Sequence, residues 1–371
     1  MAQLILLINL ILLAGYAVVF FLMMRYGCRE TLINRDEDYT PRVSIVIPTF
    51  NEEDIIEKRI RNILAMDYPR DKIEIVFIDN SSDRTPGIIK GYQKVYPFIK
   101  LLRQEKPGFN NALNQGYSIA KGDIVIKSDC DAFPEPSALR AAVSNFADKK
   151  VGAVGGVHKI LSKSEKSLER KFRGIQYRVQ QMESYFHSSL FCHGSFGAYR
   201  KSLIPKLGES ITADDCELVI NVVKNGYRAI FDSDVKSLEW YPENFWDRRK
   251  QRDRRAAGVM RVILSNLAMF FNPRYGAFGF ISLPLYFFIL ILSPILLLVD
   301  VALLTSYFAI HQPLLLLIIP AIILVLAWRS VTARAAMDTY IGCFLGMFKI
   351  FTRNKVWGKG LQKKSRKELS Q

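Results

Sequence analysis

The chain has 371 residues, half of them hydrophobic, and its lysines and arginines exceed its acidic residues enough to give a formal net charge of +16. This length accommodates one or two domains. So basic a surface suits anionic lipid headgroups or nucleotide phosphates, and the sequence has no zinc-knuckle spacing or RNA-binding motif that would favour nucleic acid. The five cysteines are odd in number and scattered, which predicts reduced thiols in a domain that faces the cytosol.

An apolar run without charges covers residues 4–24. About 20 such residues span a bilayer. The positive charges follow this run, at Arg25 and Arg29, whereas a cleaved signal peptide carries them in front. By the positive-inside rule the amino terminus is expected outside and the chain then enters the cytosol. We therefore assign residues 1–25 to a transmembrane helix.

Strand-like and helix-like patterns alternate between residues 41 and 242. Apolar runs predict strands at residues 43–48, 72–79, 99–102, 123–128, 151–157 and 229–238, with another within 192–200. Helical periodicity predicts helices at residues 51–66, 85–96, 110–121, 136–148, 164–189 and 212–225. Such alternation indicates a mainly parallel sheet, and open sheets of this class bind ligands at the carboxyl ends of their strands.

The carboxy-terminal third combines basic and apolar segments. Residues 243–276 are striped with arginine and are predicted to form amphipathic interfacial helices. Residues 277–351 are predicted to hold spans at 277–301 and near 306–328, then an interfacial or re-entrant segment at 337–351. With three spans in all, the basic tail at residues 352–371 stays in the cytosol, and a fourth span, the alternative for the re-entrant segment, would put it outside.

Asp129 and Asp131 follow the predicted strand 123–128, with only Cys130 between them. Two hard oxygen ligands at a strand end suit Mg²⁺ or Mn²⁺ that carries a phosphate. The alternative is a polar turn, because isolated pairs of this kind are common. The pair by itself does not decide between the two.

Two other strand ends carry polar side chains. Pro48, Thr49, Asn51 and Glu52 lie between the first strand of the domain and a helix, where an α/β fold exposes a nucleotide-binding turn. The alternative is a helix start that is capped by Asn51. Asp79 ends the next strand, where it can hold a base or ribose edge or simply close an Asx-type turn.

Lys106 and the pair Asp214–Asp215 each stand before or at the start of a predicted helix. A glycine-containing loop with a lysine at a helix amino end can hold a phosphate or a base. Two adjacent carboxyls raise each other's pKa, so one of them can serve as a general base near neutral pH. The alternative is that Thr212 caps the helix and the helix dipole favours both acids.

Gln251 and Arg254 lie on the arginine-striped helix. Arginine grips a pyrophosphate through paired hydrogen bonds. A solvated or lipid-facing basic stripe is the alternative for most of the arginines on this helix.

Together these segments resemble the inverting family 2 glycosyltransferases with a GT-A fold, in particular the membrane-integrated branch with cellulose and hyaluronan synthases. The resemblance covers residues 42–258. Its motifs are Pro48-Thr49-Phe50-Asn51-Glu52, Asp79, Lys106-Pro107-Gly108, Asp129-Cys130-Asp131, Asp214-Asp215-Cys216-Glu217-Leu218 and Gln251-Arg252-Asp253-Arg254. Each motif is weak alone, but their order and spacing are specific. The resemblance implies an α/β GT-A catalytic domain with a Rossmann-like mixed sheet at residues 41–242, flanked by transmembrane and interfacial α-helices.

The resemblance also implies roles for individual residues. The nucleotide-binding residues would be Pro48, Thr49, Asn51, Glu52, Asp79, Lys106 and Asp129. The ligands of the divalent metal, Mn²⁺ or Mg²⁺, would be Asp129 and Asp131. The catalytic group would be Asp214, Asp215, Gln251 and Arg254. In it, Asp215 is the general base for the acceptor hydroxyl and Arg254 binds the diphosphate. The acceptor side would be formed by Gly194, Ser195 and the residue at position 255.

Position 255 departs from the family pattern. The family motif Q-x-x-R-W ends in a tryptophan on which the acceptor sugar stacks, and this chain has Arg255 there. Trp246 lies upstream of the motif position. An arginine suits an anionic acceptor, such as a lipid phosphate or an acidic sugar, and weighs against binding of a polymer.

The resemblance thus implies a membrane-bound, metal-dependent hexosyltransferase. It would move a sugar from a nucleotide donor, expected to be a UDP-sugar, to a lipid-linked or membrane-proximal saccharide acceptor and form a β-linkage. A processive polysaccharide synthase that also translocates its product is the alternative enzyme, and a nucleotide-binding scaffold is the alternative without turnover. The expected protein is an integral cell-membrane protein that contacts lipids and can form a homo-oligomer. Its catalytic domain and tail would be cytosolic and its amino terminus outside.

Overall fold

The computed structural model describes residues 2–27, 33–160, 168–192, 195–209, 211–239 and 245–350. Within them, eight strands form one sheet in the order β3-β2-β1-β4-β7-β6-β8-β5. The strands are β1 (Val43–Thr49), β2 (Ile73–Asp79), β3 (Ile99–Arg103), β4 (Ile124–Ser128), β5 (Ala132–Pro134), β6 (Val151–Ile160), β7 (Phe196–Arg200) and β8 (Arg228–Glu239). The three-residue β5 was not predicted, because it is too short to show a pattern.

The sheet has a parallel half and a mixed half. Strands β1 to β4 pair in parallel, as the sequence predicts. Strand β7 then runs antiparallel to both β4 and β6, while β8 is parallel to β6 and antiparallel to β5. The sheet is therefore less parallel than the alternation of elements alone suggests, and the mixed, Rossmann-like GT-A arrangement is confirmed.

The helices are α1 (Ala2–Gly27), α2 (Ile56–Leu64), α3 (Thr85–Val95), α4 (Phe109–Ile119), α5 (Ala138–Ser144), α6 (Leu168–Phe186), α7 (Asp214–Lys224), α8 (Phe245–Leu264), α9 (Phe278–His311), α10 (Leu315–Arg329) and α11 (Val331–Lys349). The predicted helix at 51–66 starts only at Ile56, with Ile55 at its N-cap position. Asn51 caps no helix, because its φ of 56° places it in the left-handed region of a preceding turn. Ala213, without a side-chain hydrogen bond, occupies the N-cap position of α7 instead of Thr212.

Alternating residues of the strands fill a separate hydrophobic core on each face of the sheet. On one face, Ile124 and Ile126 of β4 pack with residues from α2, α3 and α5. On the other, Val125 packs with residues from α4, α7 and α8. Full burial of one such side chain stabilises the fold by about 1.5–3 kcal/mol, and both faces hold many of them. This three-layer core fixes the strand ends at which polar groups collect.

The helix α9 is one continuous rod of 34 residues that includes turns of π-helix. Among the described residues it is the helix that is long and apolar enough to cross a membrane, and the apolar stretches Leu7–Leu22 and Tyr340–Lys349 are shorter. It extends past the predicted end at residue 301, so the next segment begins at Leu315. The predicted basic tail lies outside the described residues.

The amino-terminal helix packs against α9. Asn9 donates a hydrogen bond of 2.7 Å from Nδ2 to Oδ1 of Asp300. The rings of Tyr16 and Phe288 stack with their centroids 3.6 Å apart. These contacts join α1 and α9, two of the segments for which the sequence predicts membrane insertion.

Candidate active site

The ends of β1, β2 and β3 lie in register and carry Thr49, Asp79 and Arg103 side by side. The buried carboxylate of Asp79 accepts hydrogen bonds from Thr49 Oγ1 (2.8 Å), from Ser81 Oγ (2.6 Å) and from the backbone N of Ser81 (3.1 Å). Arg103 lies 3.8 Å from it. Asp79 therefore stabilises the Asx-type turn that was the alternative interpretation. It also lies buried at the sheet edge where the candidate site is located.

The turn after β1 is held against the turn after β2. Asn51 N donates to Ser81 Oγ (2.7 Å), and Asn51 Oδ1 accepts from Ser82 N (2.9 Å). Glu52 is buried, and its backbone N donates to Thr85 Oγ1 (2.8 Å). Pro48 is the last but one residue of β1. The predicted nucleotide-binding residues on β1 and β2 thus form one surface.

The turn after β4 carries the acidic pair. Asp129 N donates to the carbonyl of Ser195 (3.1 Å), which fixes the start of the turn against the residue before β7. Burial raises the pKa of Asp129 to about 7, with further increases from Asp131 and Asp214, against the opposing charge of Lys127. Its Oδ1 is buried and accepts no hydrogen bond from the described residues. Such a buried acceptor calls for a hydrogen-bond donor or a cation.

Two buried cations, which the sequence analysis missed, flank this turn on opposite faces of the sheet. Lys127 forms an ion pair with Asp214. Burial lowers the pKa of Lys127, but Asp214, Asp129 and Asp215 outweigh it, and the pKa is raised. A charged residue inside an otherwise apolar strand is the signal that could have revealed it, because a buried lysine needs a partner.

Arg59 lies on the other face and is fully buried. Its Nη1 donates to Asn62 Oδ1 (2.8 Å) and its Nη2 to Ser128 Oγ (2.6 Å). Burial lowers the pKa of Arg59 to about 10, opposed by the charges of Cys130, Asp129 and Asp131. These residues form the acidic turn. The positive charge of Arg59 therefore offsets the negative charge of the turn, from the face of the sheet opposite Lys127.

The first turn of α7 brings Asp214 and Asp215 to the other side of Lys127. Burial and the neighbouring carboxylate of Asp214 raise the pKa of Asp215, and Lys127 and Arg255 oppose the increase. Asp214 is engaged in the ion pair with Lys127, whereas the raised pKa of Asp215 suits its carboxylate to accept a proton.

The helix α8 places Gln251 and Arg254 near these acids. The pKa of Arg254 is lowered by burial and by Arg255 and is raised by Asp129 and Asp214, which puts its guanidinium in the field of both acidic groups. Oε1 of Gln251 is buried and accepts no hydrogen bond from the described residues. Gly258 lies on the same side of α8, and an added Cβ there would come within 2.6 Å of Thr212 Oγ1, so α8 packs directly against the start of α7.

The predicted acceptor side is only partly described, because Gly194 lies outside the described residues. Ser195 is buried, and its Oγ is 2.6 Å from Nδ1 of His158. Burial lowers the pKa of His158 to about 4, which keeps the imidazole neutral. Arg255 lies 3.5 Å from Glu239, which Arg173 approaches to 3.4 Å. Arg255 is therefore already paired, and an anionic acceptor would compete with Glu239 for it.

Lys106 is exposed in the loop before α4 and lines an open groove of about 580 Å³ between α4 and residues 206–209. The residues that line this groove do not include the acids of β4 or α7. Gly108, with a φ of 118°, turns the chain from this loop into α4. The structure therefore places Lys106 on a groove that is separate from the acids of β4 and α7.

The donor set of the acidic turn fits a divalent cation. No cluster of three or more His, Cys, Asp or Glu side chains converges as a metal site in the described part of the chain. The turn offers two carboxylates, one with an unbonded buried oxygen. This suits a hard cation that takes its other ligands from a substrate phosphate and water, as Mg²⁺ does.

Comparison with known proteins agrees with this geometry. Residues 44–208 match the family described as glycosyl transferase family 2. A solved structure, the mannosyltransferase PcManGT from Pyrobaculum calidifontis in complex with GDP-Man and Mn²⁺, superposes with a TM-score of 0.81 at 25% identity, over 96% of this chain and 100% of that one. These findings support a family 2 glycosyltransferase.

Three curated relatives each match part of the chain. The probable glycosyltransferase YdaM of Bacillus subtilis (strain 168) is 34% identical over 62% of this chain and 58% of that protein. The poly-beta-1,6-N-acetyl-D-glucosamine synthase of Staphylococcus aureus (strain MSSA476) is 30% identical over 62% and 57%. The dolichyl N-acetyl-alpha-D-glucosaminyl phosphate 3-beta-D-2,3-diacetamido-2,3-dideoxy-beta-D-glucuronosyltransferase of Methanococcus voltae is 28% identical over 53% and 65%. The chain therefore spans less than two thirds of the length of each.

Proposed function

We propose that the protein is a membrane-bound, inverting glycosyltransferase that moves a sugar from a UDP-sugar to a lipid-linked or membrane-proximal acceptor. The observation that carries the proposal is the convergence of the acidic turn after β4, the acids of α7 and Arg254 of α8, a group that we call the acidic cleft. The family match and the similarity to a mannosyltransferase over nearly the whole chain support it.

The donor would lie across the ends of β1, β2 and β4. Glu52 and Asp79 would bind the nucleoside on the surface that Pro48, Thr49 and Asn51 shape, with Lys106 beside it. Asp129 and Asp131 would hold Mn²⁺ or Mg²⁺, and such a cation, when bound, supplies electrostatic stabilisation of the diphosphate. The similar mannosyltransferase was solved with Mn²⁺ and GDP-Man.

In the transfer step, Asp215 takes the proton of the acceptor hydroxyl onto its carboxylate. The acceptor oxygen forms a bond to the anomeric carbon while the bond from that carbon to the diphosphate breaks, and the electron pair leaves with the diphosphate. Arg254 stabilises this developing charge. Attack from the face opposite the leaving group inverts the anomeric centre, so an α-linked donor gives a β-linkage. Lys127 neutralises Asp214 and so leaves Asp215 as the base.

The acceptor would approach along Ser195, Gly194 and Arg255. An arginine at position 255 favours an anionic acceptor such as a lipid phosphate, which would replace Glu239 as its partner. One relative acts, by its name, on a dolichyl phosphate-linked sugar. A processive synthase is the second candidate, and the similarity to a poly-N-acetylglucosamine synthase favours it.

Membrane attachment is part of the proposal. The long apolar helix α9 and its contacts with α1 support insertion of residues 1–25 and of segments within 277–351. The catalytic domain at 41–242, the interfacial segment 243–276 and the tail 352–371 would then face the cytosol, with the amino terminus outside. Membrane lipids, and a second copy of the chain, are the proposed partners.

A donor screen against total membrane lipids tests this function. Purified protein is incubated with Mn²⁺ or Mg²⁺ and each of several nucleotide sugars, and product mass is read out. One added sugar supports the leading proposal, and a ladder of long chains supports the synthase. No product and no release of nucleoside diphosphate with any donor would overturn both.

The base assignment is tested by Asp215→Asn, with the exposed Asp71→Asn as the matched control. We expect Asp215→Asn to abolish transfer and to leave binding of UDP with Mn²⁺ nearly intact, because Asp215 acts on the acceptor. Asp71→Asn should transfer normally. Turnover by the Asp215 variant at the wild-type rate would contradict the assignment.

A further inference from the structure

Helix α8 has one face toward the acidic cleft. Gln251, Arg254 and Gly258 follow each other at spacings of three and four, so they lie on one side of the helix. Asp129 and Asp214 raise the pKa of Arg254, so the guanidinium lies near them on this side. Gly258 contacts the residues just before α7. The rotation of α8 about its axis therefore decides whether these side chains reach the donor.

The other face of α8 is packed against α11. Asp253, between the two cleft residues, is buried with a side-chain exposure of 4%. Its Oδ2 accepts a hydrogen bond of 2.8 Å from Nζ of Lys349, near the end of α11, and its Oδ1 lies 2.9 Å from Nε of Arg249. A buried carboxylate requires such cationic partners, because desolvation of an unpaired charge costs several kcal/mol.

Two further contacts hold the helices together. At Gly346 of α11, an added Cβ would lie 3.3 Å from Cβ of Ala256 and 3.5 Å from N of Ala257, so the two backbones approach closely. Arg261 donates from Nε to the carbonyl of Ile350 (2.7 Å) and from Nη2 to the carbonyl of Lys349 (2.6 Å). The carbonyls at the end of α11, which lack partners within the helix, are thus bound by α8.

The polar contacts attach α11 at two points along α8, residues 253 and 261, on either side of the close approach at Gly346. With a rise of about 1.5 Å per residue these points are about 12 Å apart. One contact would allow α11 to pivot, whereas two fix both the position of α11 along α8 and the rotation of α8. Asp253 is the point that lies beside Gln251 and Arg254.

We propose that Asp253 is a positioning residue for glycosyl transfer and that the carboxy-terminal helix α11, through Lys349, holds α8 in the rotation that presents Gln251 and Arg254 to the diphosphate. The inference rests on the proposed function, since it assigns α11 a part in the donor site. Asp253 itself touches neither substrate nor metal in this assignment. It acts through the orientation of its helix.

The experiment compares Lys349→Met, Lys349→Arg and Asp253→Asn in the full-length protein, with Lys250→Met, an exposed lysine on α8, as the control. Two quantities are measured: the affinity for UDP with Mn²⁺, by calorimetry, and kcat and KM with the UDP-sugar that the donor screen selects. We expect Lys349→Met and Asp253→Asn each to lower kcat/KM at least tenfold and to weaken UDP binding. Lys349→Arg should stay within about threefold of wild type, because it retains the charge.

A double variant tests whether Asp253 and Lys349 act through their shared ion pair or whether each substitution lowers activity independently. Because both residues belong to one ion pair, Asp253→Asn combined with Lys349→Met should lose no more activity than the worse single variant. Melting temperatures are recorded in parallel, and each variant is assayed well below its own midpoint. A purely structural role would lower the melting temperature and leave kcat/KM and UDP affinity unchanged in this regime, and that result would overturn the inference.

Failure of the inference is distinguishable from failure of the proposed function. If wild type turns over no nucleotide sugar, the proposed function fails. If wild type is active, Arg254→Ala is inactive and Lys349→Met is as active as wild type, only the role of Asp253 and α11 fails. Strict additivity in the double variant has the same meaning.

Discussion

The two halves of the sheet organise their polar groups in different ways. In the parallel half, strands β1, β2 and β3 end in register, and the polar groups at the ends of β1 and β2 and in the turns after them bond to one another. In the mixed half, the polar groups near the strand ends are held mainly by helices that pack on the sheet. Glu239 of β8 contacts Arg173 of α6 and Arg255 of α8, and Ser195 contacts His158 of β6.

The difference indicates that the proposed donor surface is built by the geometry of neighbouring strands, whereas the proposed acceptor surface depends on how helices pack on the sheet. The acidic cleft lies on the boundary, where β4 meets β7. Lys127 stands at this boundary, since its strand belongs to the parallel half and its partner Asp214 belongs to α7. Substitutions in the parallel half, in the mixed half and at the boundary should therefore have different effects on donor binding, acceptor binding and stability.

Loss of the boundary ion pair should have the largest effect. Lys127→Met leaves the carboxylate of Asp214 buried without its partner, and we expect a loss of about 3–5 kcal/mol in the free energy of unfolding. The double variant Lys127→Met/Asp214→Leu should recover most of that stability and remain inactive. Denaturant unfolding and donor turnover measure the two effects, and a double variant as unstable as Lys127→Met would contradict this account.

The contact between α8 and the start of α7 should have the next largest effect. Gly258→Ala forces a Cβ toward Thr212 Oγ1, and we expect about 1–3 kcal/mol of destabilisation from overpacking. The matched control is Gly91→Ala in α3, where an added Cβ meets nothing within 4 Å. It should stabilise the protein by about 0.5–1 kcal/mol, because alanine restricts the unfolded chain and favours helix. Thermal melts of both variants test this prediction. Equal shifts in melting temperature for Gly258→Ala and Gly91→Ala would argue against a close contact at Gly258.

A substitution in the mixed half should lower transfer to the acceptor and leave donor binding unchanged. Arg255→Ala is expected to leave binding of UDP with Mn²⁺ and hydrolysis of the donor by water unchanged. Transfer to the acceptor from the lipid screen should fall by about tenfold or more, as expected for loss of a hydrogen bond to a charged group. Arg255→Trp tests the converse, because an aromatic platform should favour neutral saccharide acceptors. A fall in UDP affinity for Arg255→Ala would break the distinction between the halves.

A separate effect, visible only as a pH dependence of stability, concerns Glu183 of α6, whose Oε2 accepts hydrogen bonds from Ser189 and Tyr286. Burial raises the pKa of Glu183 from 4.5 to about 8, so the folded protein keeps a proton that the unfolded chain loses. The stabilisation is present below pH 4.5 and is lost as the pH rises toward 8, with a slope of at most about 1.4 kcal/mol per pH unit. Glu183→Gln should remove this slope in melts between pH 5 and 8, and an unchanged slope would assign it to another group.

The sequence predicts the parallel half well. Its strands are continuous apolar runs, and each polar site residue follows one of them directly, so β1, β2, β3 and β4 lie where the pattern places them. The order of the motifs predicts the glycosyltransferase fold because those motifs sit at strand ends that a parallel sheet must bring together.

The mixed half and the buried cations could not be predicted in the same way. Strand β5 is too short to show an alternating hydrophobic pattern. The antiparallel insertion of β7 between β4 and β6 has no local sequence signal. The partners of Lys127 and Asp253 lie on other elements, at Asp214 and Lys349, so only the packed structure joins them. Arg59 reads as one more polar residue of an amphipathic helix, although it is fully buried.

The first turns of α9 have a consequence for how the protein sits at a bilayer. Tyr286 and Ser282 are buried in contact with Glu183 and Ser188, so the start of α9 is packed directly on the region that follows α6. At about 1.5 Å per residue the rod is about 50 Å long, longer than the roughly 30 Å hydrocarbon layer. In a bilayer the rod would fix the height of the acidic cleft above the headgroups, so the size of the acceptor's headgroup would select which hydroxyl reaches Asp215.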